Sequence, residues 1–402
     1  MMLARELYMK QIRPFINTDL IKVVTGIRRS GKSVMLELIK NELVGMGVTP
    51  KQMISINFED IEYKGLTDSD SLHAYVSDMI GDSKVKTYLF LDEIQEVNEW
   101  EKCLNSFRVK FEIDIYVTGS NAKLLSGELA TYLAGRFVQF VVYPFSFLEF
   151  SEIFLVTNPD ISSSELFKKY LILGGMPFLA NLNFQEAPCM QYLQDVYSSV
   201  VLKDITSRNR IRDVDLLERI IRYLIANIGK TFSATSISKY FKSERRSVSP
   251  ETILNYIRAC ADAYLFFRAS RQDLPGKKLL TINEKYYLAD HGIREAIFGG
   301  NGRDIEIVLE NIVFIELLRR GYSVTVGKIR GLEIDFVAEK GDHRLYIQVA
   351  YLLASESTVE REFGALMALE DNYEKYVLTM DELNMSREGI VHMNIREFLT
   401  KY

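Results

Sequence analysis

At 402 residues, 48% hydrophobic and 26% charged, the chain is too long for one compact core and too mixed to be disordered or fibrous, so two to four domains are expected. No apolar run approaches bilayer length, and the start, Met1–Glu6, lacks the apolar stretch of a secretory signal, so a cytoplasmic protein with no membrane partner is expected. The net charge of −5 is unevenly spread: residues 203–290 carry 17 Lys and Arg against 10 Asp and Glu, which leaves the balance elsewhere strongly acidic.

The first element, Ile21–Thr25, reads as a buried strand and runs into Gly26-Ile27-Arg28-Arg29-Ser30-Gly31-Lys32-Ser33, a Gly-x-x-x-x-Gly-Lys-Ser loop followed by the helical run Val34–Ile39. Gly26 and Gly31 let the backbone turn tightly enough for successive N–H groups to converge on a phosphate. Lys32 supplies a point charge for the β- and γ-phosphates, and the Ser33 hydroxyl is a Mg²⁺ ligand. Gly26, Arg29, Ser30, Gly31, Lys32, Ser33 and Val34 are therefore the candidate nucleotide contacts, with ATP and Mg²⁺ as cofactors.

The run Lys86–Leu91 ends in Asp92-Glu93, as a parallel strand delivering two carboxylates to a site would. Asp92 is expected in the metal shell, and Glu93 as the base that polarises water. A third strand, Ile113–Val117, feeds Thr118-Gly119-Ser120-Asn121, where Ser120 or Asn121 is placed to meet the γ-phosphate or the attacking water. An extra strand with a polar tip looks like the AAA+ division of P-loop enzymes. Arg136, in Leu133-Ala134-Gly135-Arg136, is the candidate arginine for the transferring phosphoryl group, the alternative being a helix-capping surface residue.

Pro144 breaks the pattern after the strand Phe137–Tyr143. Residues 144–205 read as a helical lid interrupted by Gly174-Gly175-Met176-Pro177, a hinge or a tight interhelical turn. Residues 206–296 then read as three helices and two strands, a winged helix-turn-helix. Its third helix starts at Ser249-Pro250-Glu251, and its wing encloses the basic loop Arg271–Lys278. Lys242, Arg245, Arg246, Ser247, Asn255 and Arg258 would face double-stranded DNA, with a protein partner or self-association as the alternative.

Residues 297–402 combine an amphipathic helix carrying Glu310, a strand carrying Asp335, and a strand with Gln348 and Ala350. This is the arrangement of the PD-(D/E)xK nucleases, with an amide where the second acid belongs and no lysine at 350. Too few ligands remain for Mg²⁺. A degenerate, inactive nuclease-like domain is expected, with Glu310 as a helix-end acceptor and Asp335 near Lys328 or Arg330. Cys103, Cys189, Cys260 and the four histidines are scattered, which argues against disulfides and a metal site.

Taken together, Val24–Ser33, Leu91–Gln95, Thr118–Asn121, Leu133–Arg136 and Glu333–Val337 resemble the bacterial and archaeal AAA-family ATPases with a C-terminal DUF4143 domain. The resemblance implies ATP and Mg²⁺ binding through Gly26, Gly31, Lys32 and Ser33, with Asp92 and Glu93 as the metal and water pair. The expected fold is an α/β P-loop NTPase (AAA+-like, a parallel sheet with helices on both faces) at 1–143, then lid, winged helix and nuclease-like α/β domain.

Overall fold

A computed structural model describes residues 3–82, 85–122, 133–276 and 278–401. They form two compact units, the first comprising residues 1–142 with 262–264 and the second the remainder.

The first unit opens with α1 (Glu6–Ile12) and then alternates strand and helix: β1 (Ile21–Thr25), α2 (Lys32–Gly45), β2 (Met53–Asn57), α3 (Ser69–Ile80), β3 (Thr87–Asp92), α4 (Trp100–Lys110), β4 (Ile113–Gly119) and β5 (Phe137–Val141). All five strands are parallel, in the order β2-β3-β4-β1-β5. Every residue of β1, β3 and β4 is buried, as central strands covered on both faces must be, whereas the edge strands β2 and β5 leave residues exposed. β4 lies between the loop-bearing β1 and the acid-bearing β3, which is the extra strand expected from the sequence.

At the start of β1 and β4 the fully buried Lys22 and Asp114 are ion-paired, and Asp114 also accepts from Asn17 N and Tyr116 Oη, both at 2.8 Å. Burial pulls the lysine below its usual range, against the opposing pull of Asp114.

The second unit begins with helices α5 (Phe147–Thr157), α6 (Ser163–Leu173) and α7 (Glu186–Ser199), the last continuing as a π-helix over Val200–Ser207. Ser146 with Glu149 and Ser162 with Glu165 form capping boxes, which fixes where α5 and α6 start. Gly174-Gly175 is a tight turn, not a hinge: Gly175 N donates to the buried Asp290 at 2.7 Å, and a Cβ on Gly174 would lie 2.2 Å from the same carboxylate.

Helices α8 (Val214–Ala226), α9 (Ala234–Ser243) and α10 (Pro250–Asp262) precede a hairpin of β6 (Phe266–Asp273) and β7 (Lys278–Leu288). The basic loop expected at 271–278 is thus mostly strand and turn, and Lys277 lies outside the described residues. After α11 (His291–Phe298) and α12 (Ile305–Arg319) come β8 (Ser323–Ile329), β9 (Leu332–Lys340), β10 (His343–Val349), α13 (Glu356–Met367), β11 (Glu374–Thr379), β12 (Val391–Asn394) and α14 (Ile395–Thr400).

Residues 271–273 of β6 pair in parallel with 326–328 of β8, so the hairpin and the C-terminal strands make one sheet, β12-β11-β10-β9-β8-β6-β7. The boundary expected at 296/297 does not separate two sheets. Nor is α12 amphipathic in the way expected. It packs on strands β7 to β10 and on α11, so Leu309, Val313, Phe314 and Leu317 are buried together with the polar Asn311 and Glu316.

Candidate functional site

The C-terminal ends of β1, β3 and β4 deliver the candidate residues to one edge of the first sheet. Between β1 and α2 the loop adopts positive φ at Gly26 (143°), Arg29 (68°) and Gly31 (98°), the kind of backbone that turns consecutive N–H groups to one concave side. A side chain is impossible at Gly26, where a Cβ would stand 2.2 Å from Val142 O. Ser30 Oγ is buried and has no hydrogen-bond partner among the described residues. A concave loop with an orphaned buried hydroxyl and a lysine at its end fits a triphosphate. Ser33 and Val34, in the first turn of α2, are exposed, as is Arg29.

Lys32 is buried, with Nζ 3.3 Å from Ile27 O and 3.6 Å from Glu93 Oε1. Glu93 takes a left-handed conformation (φ 58°) directly after β3, and this bend separates its side chain from that of Asp92. Thr118, on β4, ties the two acids together: its hydroxyl donates to Asp92 Oδ1 and accepts from Glu93 N at 2.8 Å. Glu93 Oε2 accepts from Ser120 Oγ at 3.2 Å and from Gln95 Nε2. Asn121, the next residue, is buried. The structure therefore brings Lys32, Glu93 and Ser120 into one group, with Asp92 held through Thr118.

Arg136 is elsewhere. Its carbonyl accepts from Ile21 N at 2.9 Å, which places it at the start of β5 and β1, the opposite edge of the sheet from the loop. Its guanidinium donates to Asn105 Oδ1 at 2.8 Å and is exposed. It does not face the loop of its own chain.

Arg5 carries no motif, yet it belongs to the site. It precedes α1 in a left-handed conformation (φ 45°), is buried, stacks 4.6 Å over Tyr8, and donates through Nη1 to Ser30 O at 3.0 Å. Only the fold brings a residue 25 positions away onto the loop.

Of the expected DNA-facing side chains, Lys242, Arg245, Ser247, Asn255 and Arg258 are exposed. Arg246 is exposed too, but it pairs with Asp215 at 2.5 Å, and Arg219 shares that carboxylate at 3.1 Å. The two strands expected to form a wing, β6 and β7, are members of the larger sheet instead. In the C-terminal part, Glu310 lies mid-helix, where it accepts from Lys285 Nζ at 3.1 Å and Tyr287 Oη at 2.6 Å, not at a helix end. Asp335 accepts from Val349 N at 2.9 Å, and its cationic neighbour is Lys285 in place of Lys328 or Arg330.

Residues 18–151 match the family described as AAA domain. Residues 164–304 match a domain of unknown function, DUF8612, where the motifs had implied DUF4143 toward the C-terminus. A protein of Haemophilus influenzae described as uncharacterized is 40% identical over 379 residues, 94% of this chain and 93% of that protein. An uncharacterized protein of Methanocaldococcus jannaschii is 30% identical over 379 residues, 91% of this chain and 81% of that one. Among solved structures, the Aeropyrum pernix ORC1 protein in complex with DNA aligns at a TM-score of 0.32 and 12% identity, over 73% of this chain and 91% of its own, which is too slight to carry an argument. Among the described residues no helix is long and apolar enough to cross a membrane.

Proposed function

The chain belongs to the family of AAA-domain proteins represented by these bacterial and archaeal relatives, and from that premise we propose that it binds ATP with Mg²⁺ and hydrolyses it. The observation that carries the proposal is the approach of Lys32 and Glu93 to 3.6 Å at the end of a phosphate-shaped loop. Lys32 would exchange Glu93 for the β- and γ-phosphate oxygens. Ser33 and Asp92 would hold Mg²⁺, which when bound supplies the charge that neutralises the phosphates. Glu93, released from the lysine and steadied by Ser120, would take the proton of the attacking water. Asn121, next to Ser120, would orient that water or the γ-phosphate.

The test is a pair of variants. Lys32→Ala should lose most ATP affinity, and Glu93→Gln should keep it while turnover falls by about 10²-fold or more. Equal turnover in Glu93→Gln and wild type would remove Glu93 from the mechanism.

For the coupling of this cycle, we propose contact of α9 and α10 with double-stranded DNA through Lys242, Arg245 and Arg258. A second proposal, docking of a protein partner with slow turnover, is favoured by Tyr240 and Leu254, which are 58% and 44% exposed on the same two helices.

A further inference from the structure

Four elements of the second unit bring charge to one place: β7 with Lys285, α12 with Glu310, β9 with Glu333 and Asp335, and α13 with Glu362. Lys285 is 4% exposed, and its ammonium lies 3.1 Å from Glu310 Oε1 and 2.8 Å from Glu333 Oε1. Arg271 takes the other oxygen of Glu333 at 2.6 Å, and Arg361 pairs with Glu362 at 2.7 Å. Gln348 is committed at both ends: Oε1 accepts from Asp335 N at 2.7 Å and Nε2 donates to Glu362 at 3.0 Å. The Glu310 carboxylate is also closely covered, because a Cβ on Gly229 would stand 3.1 Å from each of its oxygens.

We infer that Lys285 is the resident cation of this cluster, an internal replacement for the divalent ion that Glu310 and Asp335 would hold in a nuclease, so that this unit takes up no such ion and does not cut DNA. The cations of the cluster already meet its acids: Lys285 faces Glu310 and Glu333, Arg271 faces Glu333, and Arg361 faces Glu362, while burial first and Glu310 second push the Asp335 carboxyl above its ordinary range. Burial alone would pull Lys285 down, but Glu310, Asp335 and Glu333 keep it above the usual lysine value. A hard dication needs several free oxygens. Here it would also have to take Glu310 away from a buried ammonium, which is unfavourable. The lysine absent at position 350 is thus made good from a different strand, as a counter-ion. The inference does not depend on ATP turnover.

The test is uptake of Mn²⁺ by the full chain without nucleotide, followed by electron paramagnetic resonance of the free ion. Wild type and Asp335→Asn should bind alike, any weak uptake at the nucleotide loop being common to both. Lys285→Ala should gain a site at least about tenfold tighter, which is lost again in Lys285→Ala with Asp335→Asn. If Lys285→Ala does not fold, Lys285→Gln takes its place, because an amide can still donate to Glu310 without carrying charge. Mn²⁺ binding by wild type that Asp335→Asn abolishes would overturn the inference. So would a folded, uncharged variant at 285 that gains no site. Cleavage of supercoiled DNA in Mn²⁺ that needs both Asp335 and Lys285 would make Lys285 the lysine of a working site.

Discussion

The acids of this protein differ in how they are held, and Asp335 is one whose surroundings oppose its charge. Burial first and Glu310 second push its carboxyl well above the usual aspartate range, so the folded chain holds the proton to a higher pH than the unfolded chain, which releases it above about 3.9. The native state therefore binds more protons than the unfolded state over that interval, and stability falls as pH rises through it toward the folded value. Asp335→Asn resembles the protonated form and can still accept from Val349 N. It should stabilise the second unit more at pH 8 than at pH 5, by about 1.4 kcal/mol for each tenfold preference for the proton. Thermal unfolding at the two pH values checks this; parallel curves for variant and wild type would show that Asp335 is ionised after all. Asp92 and Glu93 are held differently, by Thr118 on β4 and by Ser120 just beyond its end, so that the two acids are aimed by a neighbouring strand and its tip.

At the scale of elements, the position of Arg136 makes a specific demand. The start of β5 is remote from the loop at the end of β1, so an arginine there serves phosphoryl transfer only when a second copy presents its own nucleotide. Turnover per chain should then rise with protein concentration, and Arg136→Ala should abolish the rise, an effect that for such arginines reaches about 10³–10⁵ in rate. Activity independent of concentration and unchanged in Arg136→Ala would leave Arg136 as a partner of Asn105.

The α9–α10 pair makes a second demand. With Arg246 committed to Asp215, about three cations remain, so log affinity for duplex DNA should fall with log salt at a slope near about −2.7. Arg245→Ala should make the slope shallower by about one. No binding even at low salt would favour the protein partner.

Much at this scale was legible in the sequence. Central strands read as mostly apolar runs, whose only charged residues in β1 and β4 are the paired Lys22 and Asp114, and the Gly-Lys-Ser loop and Asp-Glu tip carry their chemistry in adjacent residues. What was not legible depends on pairing across long stretches of chain. The parallel match of β6 with β8 joins residues 55 positions apart, and Lys285 looks like any other strand lysine until the packing of α12 on β7 brings it to Glu310. Arg5 is hidden for the same reason.

On the scale of the whole molecule, the shared sheet decides what can be cut. A chain ending at residue 296 would leave residues 271–273 of β6 without their partners on β8, and open strand edges of this kind recruit other chains. Residues 1–296 and 297–402 produced separately should aggregate, and produced together should recover a soluble complex, as gel filtration would show. Two independently soluble pieces would contradict the joint sheet. The ion pair between Lys285 and Glu310 has a consequence for inheritance as well. Each side of that cut carries one half of a buried charge pair, so recombination that moved either piece into another gene would bring along a lone buried cation or a bare acid. The three helices with their hairpin and the sheet that follows are thus joined twice, by strand pairing and by a buried charge pair, and a split between them breaks both.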